Sequence, residues 1–457
     1  MPKARDQRSA HHRVNNRLRE MINASGMSYD SLARAVVGIA AENGEVLRTN
    51  KSAVAHWVAG TVPGERTITY LAEALSRRVG RTVTPKQLGL AAARAPELAG
   101  AHPIETATLL GRADVEHRAY LAAAVYTSAA VAMPLHYDHE PVTRLLRART
   151  GRARVGAEEV AVVRQITKSF GAADEVLGGG HGLSTVATYL ADTVAPMLSG
   201  RFPSERVRRD AFAAAAELAW LQGWKHHDLG QEGAAQRYYL LGFQLAVEAD
   251  PHAHAAWMMR AVAHQALSLK QRGRSLDLIQ AALARADGYA DGATQALLHI
   301  TQARAYAALR EKHSAARALL AAEDALAQQD EPQPSYSLLM GPAAGTVDSH
   351  TARTLTEIGD HAGTEARHRA AFTSWDLLAF PRVHLLTHMD LGDCLAAQAR
   401  ADEAVAAWGR ALDLAEGMAS ARTRTALASI RPVLGLYRRR GVPGAALLEQ
   451  RIHQAMV

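Results

Sequence analysis

From Ala211 to the end, the chain repeats itself. Turn-like breaks fall near Gly230, Gly273, Glu311, Asp360, Ala401 and Gly441, 38 to 49 residues apart. Each interval holds two helical segments. A period of this size points to stacked helical hairpins, in which no hairpin buries its apolar face alone and each neighbour completes the core. Three intervals also share a pattern of small and large residues. One carries Leu391-Gly392, Leu395, Ala404, Trp408 and Ala411; another carries Ala303, Tyr306, Ala315, Leu319 and Ala322; a third carries Gly223, Ala235, Tyr239 and Gly242. The small residues let paired helices approach and the large ones fill the gap.

Composition agrees with a helical reading. About a fifth of the 457 residues are alanine, and only 5% are aromatic. That balance favours close-packed helices over a β-sandwich. Residues 101–210 show no alternating strand pattern and read as helices broken by Pro103, Pro134, Pro141, Gly171, Gly178–Gly180 and Pro203. The expected fold is all-α, with a helix-turn-helix domain at 1–90, a helical connecting region at 91–210 and a TPR-like solenoid of helical hairpins at 211–457.

The net charge of +7 is not spread evenly. Residues 1–90 hold 14 Lys/Arg against 7 Asp/Glu, whereas the rest of the chain is balanced at 38 and 38. A basic module beside a neutral bulk is the pattern of a piece that meets a polyanion. Its helices are marked locally. Leu18, Met21 and Ile22 define one, ended by Gly26. Ser28 caps a second, Tyr29–Val37, with Leu32, Ala33 and Val36 on one side. Thr49 or Asn50 caps a third, Lys51–Ala59, and Thr67–Arg78 forms a fourth. Such a run makes a helix-turn-helix, whose second helix presents its N-terminal residues to base edges. The expected DNA-binding residues are Ser28, Tyr29, Arg48, Thr49, Asn50, Lys51, Ser52 and His56. Asn pairs with adenine edges, Lys with guanine, and Arg, Thr and Ser hold phosphates. Val54, Trp57 and Val58 form the apolar back.

The runs Ser28-Tyr29-Asp30-Ser31-Leu32-Ala33, Ser52-Ala53-Val54-Ala55-His56-Trp57-Val58-Ala59-Gly60 and Leu71-Ala72-Glu73-Ala74-Leu75 resemble a repressor-type (XRE/Cro-like) helix-turn-helix. Two departures stand out: the turn Gly38–Arg48 is longer than usual, and Tyr29 stands where that family often has Gln. The whole layout resembles actinobacterial regulators that join such a domain to a C-terminal TPR array. In these terms Ala172–Leu190 looks like the connecting segment and Gly223-Trp224-Lys225-His226-His227-Asp228 like the first repeat. The layout is also similar to peptide-sensing quorum regulators. An excess of Arg over Lys, about 45 to 7, accompanies the alanine and fits a GC-rich genome.

Chemistry is sparse. Cys394 is the one cysteine, which excludes an internal disulfide or a Cys-based zinc site and fits a reducing compartment. Met1–Arg19 lacks the apolar run of a signal peptide. The uncharged run Ala119–Leu135 contains Pro134 and is short, so it reads as a buried helix and not as a membrane span. Gly178–Gly182 is followed by no Gly-Lys-Ser/Thr, so it is a tight or flexible loop and not a P-loop. The histidine clusters His136/Asp138/His139 and His226/His227 lack metal-ligand spacing. No Gly-x-Ser-x-Gly elbow or other catalytic set emerges. No catalytic residue, metal or cofactor is expected.

The array's inner face offers a groove instead. Trp257, Arg260 and His264 fall at i, i+3 and i+7, and Trp220, Trp224, Arg304 and Arg353 take comparable first-helix positions in other repeats. Such residues can grip a carboxylate, a peptide backbone or a ring. The expected function is a cytoplasmic, homodimeric transcription regulator without membrane association. It binds double-stranded DNA and senses a small-molecule or peptide effector. The alternative is a TPR adaptor for protein partners that does not bind DNA.

Overall fold

In the computed structural model, residues 14–42, 45–81, 83–90, 102–116, 125–127, 154–328, 332–339 and 341–455 are described. Among them the fold is all-α, and β pairing is confined to one isolated bridge, Arg154–Arg201. The chain divides into two compact units. One takes residues 1–100 and 125–132, the other 101–124 and 133–457.

The first unit is built from α1 (Asn16–Ser25), α2 (Tyr29–Glu42), α3 (Lys51–Val58) and α4 (Glu65–Val79). Local chemistry sets their ends. Gly26 closes α1 at φ 65°. The Ser28 hydroxyl accepts from Ser31 N (3.1 Å) at the start of α2. Asn50 caps α3 by accepting from Ala53 N (3.0 Å). Helix α2 runs through Gly38 to Glu42, so the stretch joining α2 to α3 is shorter than Gly38–Arg48. Leu18, Ile22, Leu32, Val36, Val54, Trp57, Leu71 and Leu75 form the core. Asn15 ties three parts together: Oδ1 caps α1 at Leu18 N (3.0 Å), Nδ2 donates to Leu88 O (2.9 Å), and its backbone N–H bonds Val58 O (2.9 Å).

The second unit begins with α5 (Pro103–Glu116), α6 (Ala157–Leu177) and the short α7 (Leu183–Tyr189). Stacked hairpins follow: α8/α9 (Glu205–Asp228, Glu232–Ala249), α10/α11 (Ala253–Ser268, Arg272–Ala286), α12/α13 (Gly292–Ala308, Lys312–Ala327), α14/α15 (Ala343–Ile358, His361–Ser374) and α16/α17 (Pro381–Ala397, Ala401–Asp413). The array ends in α18 (Ala421–Ser429), α19 (Arg431–Arg439) and α20 (Ala445–Ala455). The small–large pattern becomes contact here. A Cβ on Gly223 would lie 2.7 Å from the Tyr239 ring, and one on Gly392 2.3 Å from Trp408. The glycines therefore make room for the aromatic of the paired helix.

The turns repeat even more regularly than the side chains. Within hairpin after hairpin one residue takes a left-handed conformation: Gly230 (74°), Lys270 (59°), Arg310 (66°), Gly359 (88°) and Ala399 (60°). In each, the next residue's N–H reaches back to a carbonyl of the first helix, as from Gln231 to His226 O and from Arg400 to Leu395 O. The break expected at Gly273 centres on Lys270 instead, and Gly273 sits inside α11. A side chain at positive φ costs roughly 1 kcal/mol that glycine avoids. Ala399→Gly should therefore raise the unfolding free energy by about 0.5 kcal/mol, and Gly230→Ala should lower it by about 1 kcal/mol. Urea denaturation of the two variants checks both signs.

Candidate functional site

In the first unit, α3 shows two faces. Val54, Trp57 and Val58 are buried, whereas Lys51, Ser52, Ala55 and His56 are exposed. Arg48 and Asn50 are exposed, and Thr49 and Tyr29 are half-buried. Neither Arg48 nor Lys51 has an acidic partner among the described residues, whereas Arg66 pairs with Glu45 and Arg77 with Glu42 and Glu73. Ser28 is exposed and occupied in capping α2. The Asn50 amide oxygen is likewise committed to the cap of α3. A two-point pairing of Asn50 with adenine needs that oxygen, so this side chain cannot both cap and read in that manner.

In the second unit, a cavity of about 350 Å³ opens among α6, α8, α14 and α16. Of the expected groove residues, Trp220, Trp224, His264 and Arg353 line it. Trp220 and Trp224 stack at 5.7 Å between centroids. The His264 and His350 rings stack at 5.6 Å. Burial pushes both imidazoles well below the usual histidine range, and the charge of Arg304 reinforces it. Arg353 donates to Asp390 (2.8 Å) and also borders a second cavity, where Arg304 lies. Burial and the neighbouring Arg353 push Arg304 down to about 9.

Trp257 and Arg260 do not line the cavity. Arg260 turns to the next hairpin, where its Nε donates to Leu297 O and Thr301 Oγ1, both at 2.9 Å. Trp257 packs on Trp220 (5.4 Å) and Tyr336 (6.0 Å). Helical spacing groups these residues correctly with His264, but a helix flanked on two sides has two buried faces.

The inner wall includes a helix not foreseen as part of the site. Helix α6 supplies Arg164, Thr167, Lys168, Asp174 and Glu175 to the cavity. It is fastened by buried charges. Asp174 accepts from Lys225 Nζ (3.0 Å) and from Arg382 (2.5 Å). Arg382 also meets Glu175 (2.7 Å) and Asp228 (3.3 Å). Burial disfavours the Arg382 charge, but the carboxylates of Glu175, Asp174 and Asp228 outweigh it and hold the guanidinium protonated. Gly178–Gly180 then threads between Asp228 and Ala419. A Cβ on Gly178 would lie 2.6 Å from the Ala419 backbone, and one on Gly179 2.5 Å from Lys225 O. Gly179 N–H donates to Asp228 (3.0 Å), Ala419 N–H to Leu177 O (2.8 Å), and the Ser420 hydroxyl to Asp228 (2.9 Å). The glycine run is a tight thread through a crowded gap.

The adjacent histidines His226 and His227 diverge. His226 contacts Asp114 (2.8 Å), which also accepts from Gln222 and Tyr238, while His227 contacts Glu232 (2.8 Å). Among the described residues no group of three His, Cys, Asp or Glu is placed to hold a metal ion. The cluster His136/Asp138/His139 lies outside the described residues, as does most of Ala119–Leu135. No described helix is long and apolar enough to cross a membrane.

The family described as the SP15 N-terminal domain matches residues 18–91, the stretch that holds the cores of α1 to α4. No curated protein matches the chain.

Two outcomes follow from the buried charges. Arg382→Gln leaves Asp174 and Asp228 short of a partner and should cost about 3–5 kcal/mol, readable as a loss of thermal stability. Acid should also destabilise the second unit. Burial lowers His254 to about 3, so between an unfolded value near 6.5 and that point the unfolded chain binds the extra proton. Stability therefore falls as pH drops through this window, by at most about 1.4 kcal/mol per pH unit for this group. His254→Phe removes the titration, and its melting temperature should depend less steeply on pH below about 6.5 than that of the wild type.

Proposed function

We propose that this chain is a transcription regulator that binds double-stranded DNA through α3 and senses an effector or partner through its helical array. The observation that carries this reading is the outward face of α3. It presents Lys51, Ser52 and His56 beside Arg48, with the two cations unpaired among the described residues. Its back is fixed in the core, so the face is rigidly presented. The charge supports the same reading, because the excess of +7 resides in the part of the sequence that holds this helix. The resemblance to repressor-type domains joined to TPR arrays supports it as well. On this reading the regulator works in the cytoplasm as a homodimer, with half-sites about one DNA turn (~34 Å) apart. An effector in the cavity biases the array between states and so the spacing of the two reading helices.

Fluorescence anisotropy with short duplexes tests this. Binding should weaken steeply with salt, by about one decade of affinity per decade of salt for each phosphate neutralised. Lys51→Ala should weaken binding and, if Lys51 holds a phosphate, lower the salt slope by about 1. Asn50→Ala is a poorer probe, because losing the cap costs about 1 kcal/mol of stability in itself. No binding of any duplex at low salt overturns the reading in favour of a protein-docking adaptor.

A further inference from the structure

The cavity's charges are not all matched. Arg164 meets Asp210 (3.5 Å) and Glu217 (3.6 Å), Arg353 meets Asp390 (2.8 Å), and Arg382 is surrounded by Asp174, Glu175 and Asp228. Lys168 is exposed at the rim. Arg422 differs from the paired arginines, and it is less exposed than Lys168. It lines the cavity, yet among the described residues no carboxylate lies within ion-pair distance of it. Its guanidinium sits over the Trp224 ring, 5.0 Å from the centroid. The position is imposed by its surroundings. Ser420, which caps α18, is anchored to Asp228, and Ala419 is bonded to Leu177 and Gly180.

Two buried histidines also line the cavity, beside the Arg353–Asp390 pair. His350 and His368 are buried to 6% and 1% exposure. His350 Nδ1 and both ring nitrogens of His368 have no hydrogen-bond partner among the described residues, although both side chains line the cavity. Burial pushes their protonation below the usual range, so they offer neutral donors and acceptors. The apolar part of the lining is partly flat: Trp220, Trp224, Trp375 and Phe380, with Leu338 and the largely exposed Leu378.

We propose that this cavity binds an organic monoanion, a carboxylic acid with a flat or branched apolar body, whose carboxylate rests on Arg422 and whose body lies along the Trp220–Trp224 shelf. A single negative charge suits the site better than a phosphate. Arg382 and Arg422 both sit over the Trp224 ring, so the carboxylates of Asp174, Glu175 and Asp228 gathered on Arg382 repel a second charge, and Arg382 is already consumed by them. A fork of N–H donors above a ring also suits a planar carboxylate, which it binds through two hydrogen bonds while the ligand's apolar part meets the tryptophans. The idea deepens the sensing role given to the array and rests on that reading for its regulatory meaning. The binding chemistry stands on the cavity alone.

The test uses the full chain without DNA and titrates matched pairs by calorimetry: 3-phenylpropionate with its amide, and indole-3-acetate with its amide. The C-terminus of a peptide carries the same group, so a third pair is acetyl-Leu-Phe and its C-terminal amide. The expected result is that in at least one pair the acid binds about tenfold or more tighter than the amide, and that Arg422→Gln, checked as folded by circular dichroism, abolishes the difference between acid and amide. Arg422→Lys should restore part of the preference. The pair that shows it identifies a small acid or a peptide end as the source. The proposal is overturned if no acid is preferred over its amide in any pair, or if Arg422→Gln keeps the preference. Because DNA is absent, failure here leaves the duplex-binding result as it stands. Failure of duplex binding likewise leaves an acid site intact and removes only its link to transcription.

Discussion

The second unit depends on one buried constellation of charge. Arg382, at the start of α16, is held among Asp174, Glu175 and Asp228, and Lys225 completes the set. Taking such groups out of water is expensive, and only dense pairing offsets it. The pairing has a geometric result. Asp228 ends the first helix of the array, Arg382 opens a helix four hairpins further on, and Asp174 belongs to a helix that precedes both. Their meeting seats α6 along the inner side and brings the start of the array to its later part. The cavity, the shelf of tryptophans and the placement of Arg422 follow from that closure.

This arrangement explains the unusual burial of α8. From Ala211 to Asp228 nearly every residue is buried, including Glu217, Gln222, Lys225, His226 and His227. A helix covered on one side keeps its charges in water. Here α5, α6 and the paired α9 together enclose it, so the charges are matched within the protein. Asp114 takes Gln222, His226 and Tyr238, Glu232 takes His227, and Asp174 takes Lys225.

What could be read from the chain alone divides along physical lines. Features set by neighbours in sequence were legible: Gly26 as a helix end, Ser28 and Asn50 as caps, and the buried Val54, Trp57 and Val58. The repeat was legible because Gly223 and Gly392 encode in one helix the space that Tyr239 and Trp408 fill from the next. The site was legible only in part. Trp220, Trp224, His264 and Arg353 were found because first-helix positions of a hairpin array tend inward. Arg382 and Arg422 were missed because their roles are set by partners about two hundred residues away, a separation at which periodicity carries no information. Lys225 and Asp228 look like a solvated helix end until α6 is in place. The same gap misplaced Arg260, which is held by the following hairpin, and Trp257, which packs between Trp220 and Tyr336.

The hairpin turns share one backbone conformation from Gly230 to Ala399, which makes the repeats nearly interchangeable as building blocks. Arrays of that kind ordinarily grow or shrink by whole repeats, since each unit touches only its neighbours. The contact of Arg382 with Asp174 and Asp228 removes that freedom. Adding or deleting one hairpin between α8 and α16 would carry the guanidinium past its carboxylates and leave the Gly178–Gly180 thread without Ala419 beside it. The number of repeats in this stretch is therefore a fixed quantity, counted by an ion cluster.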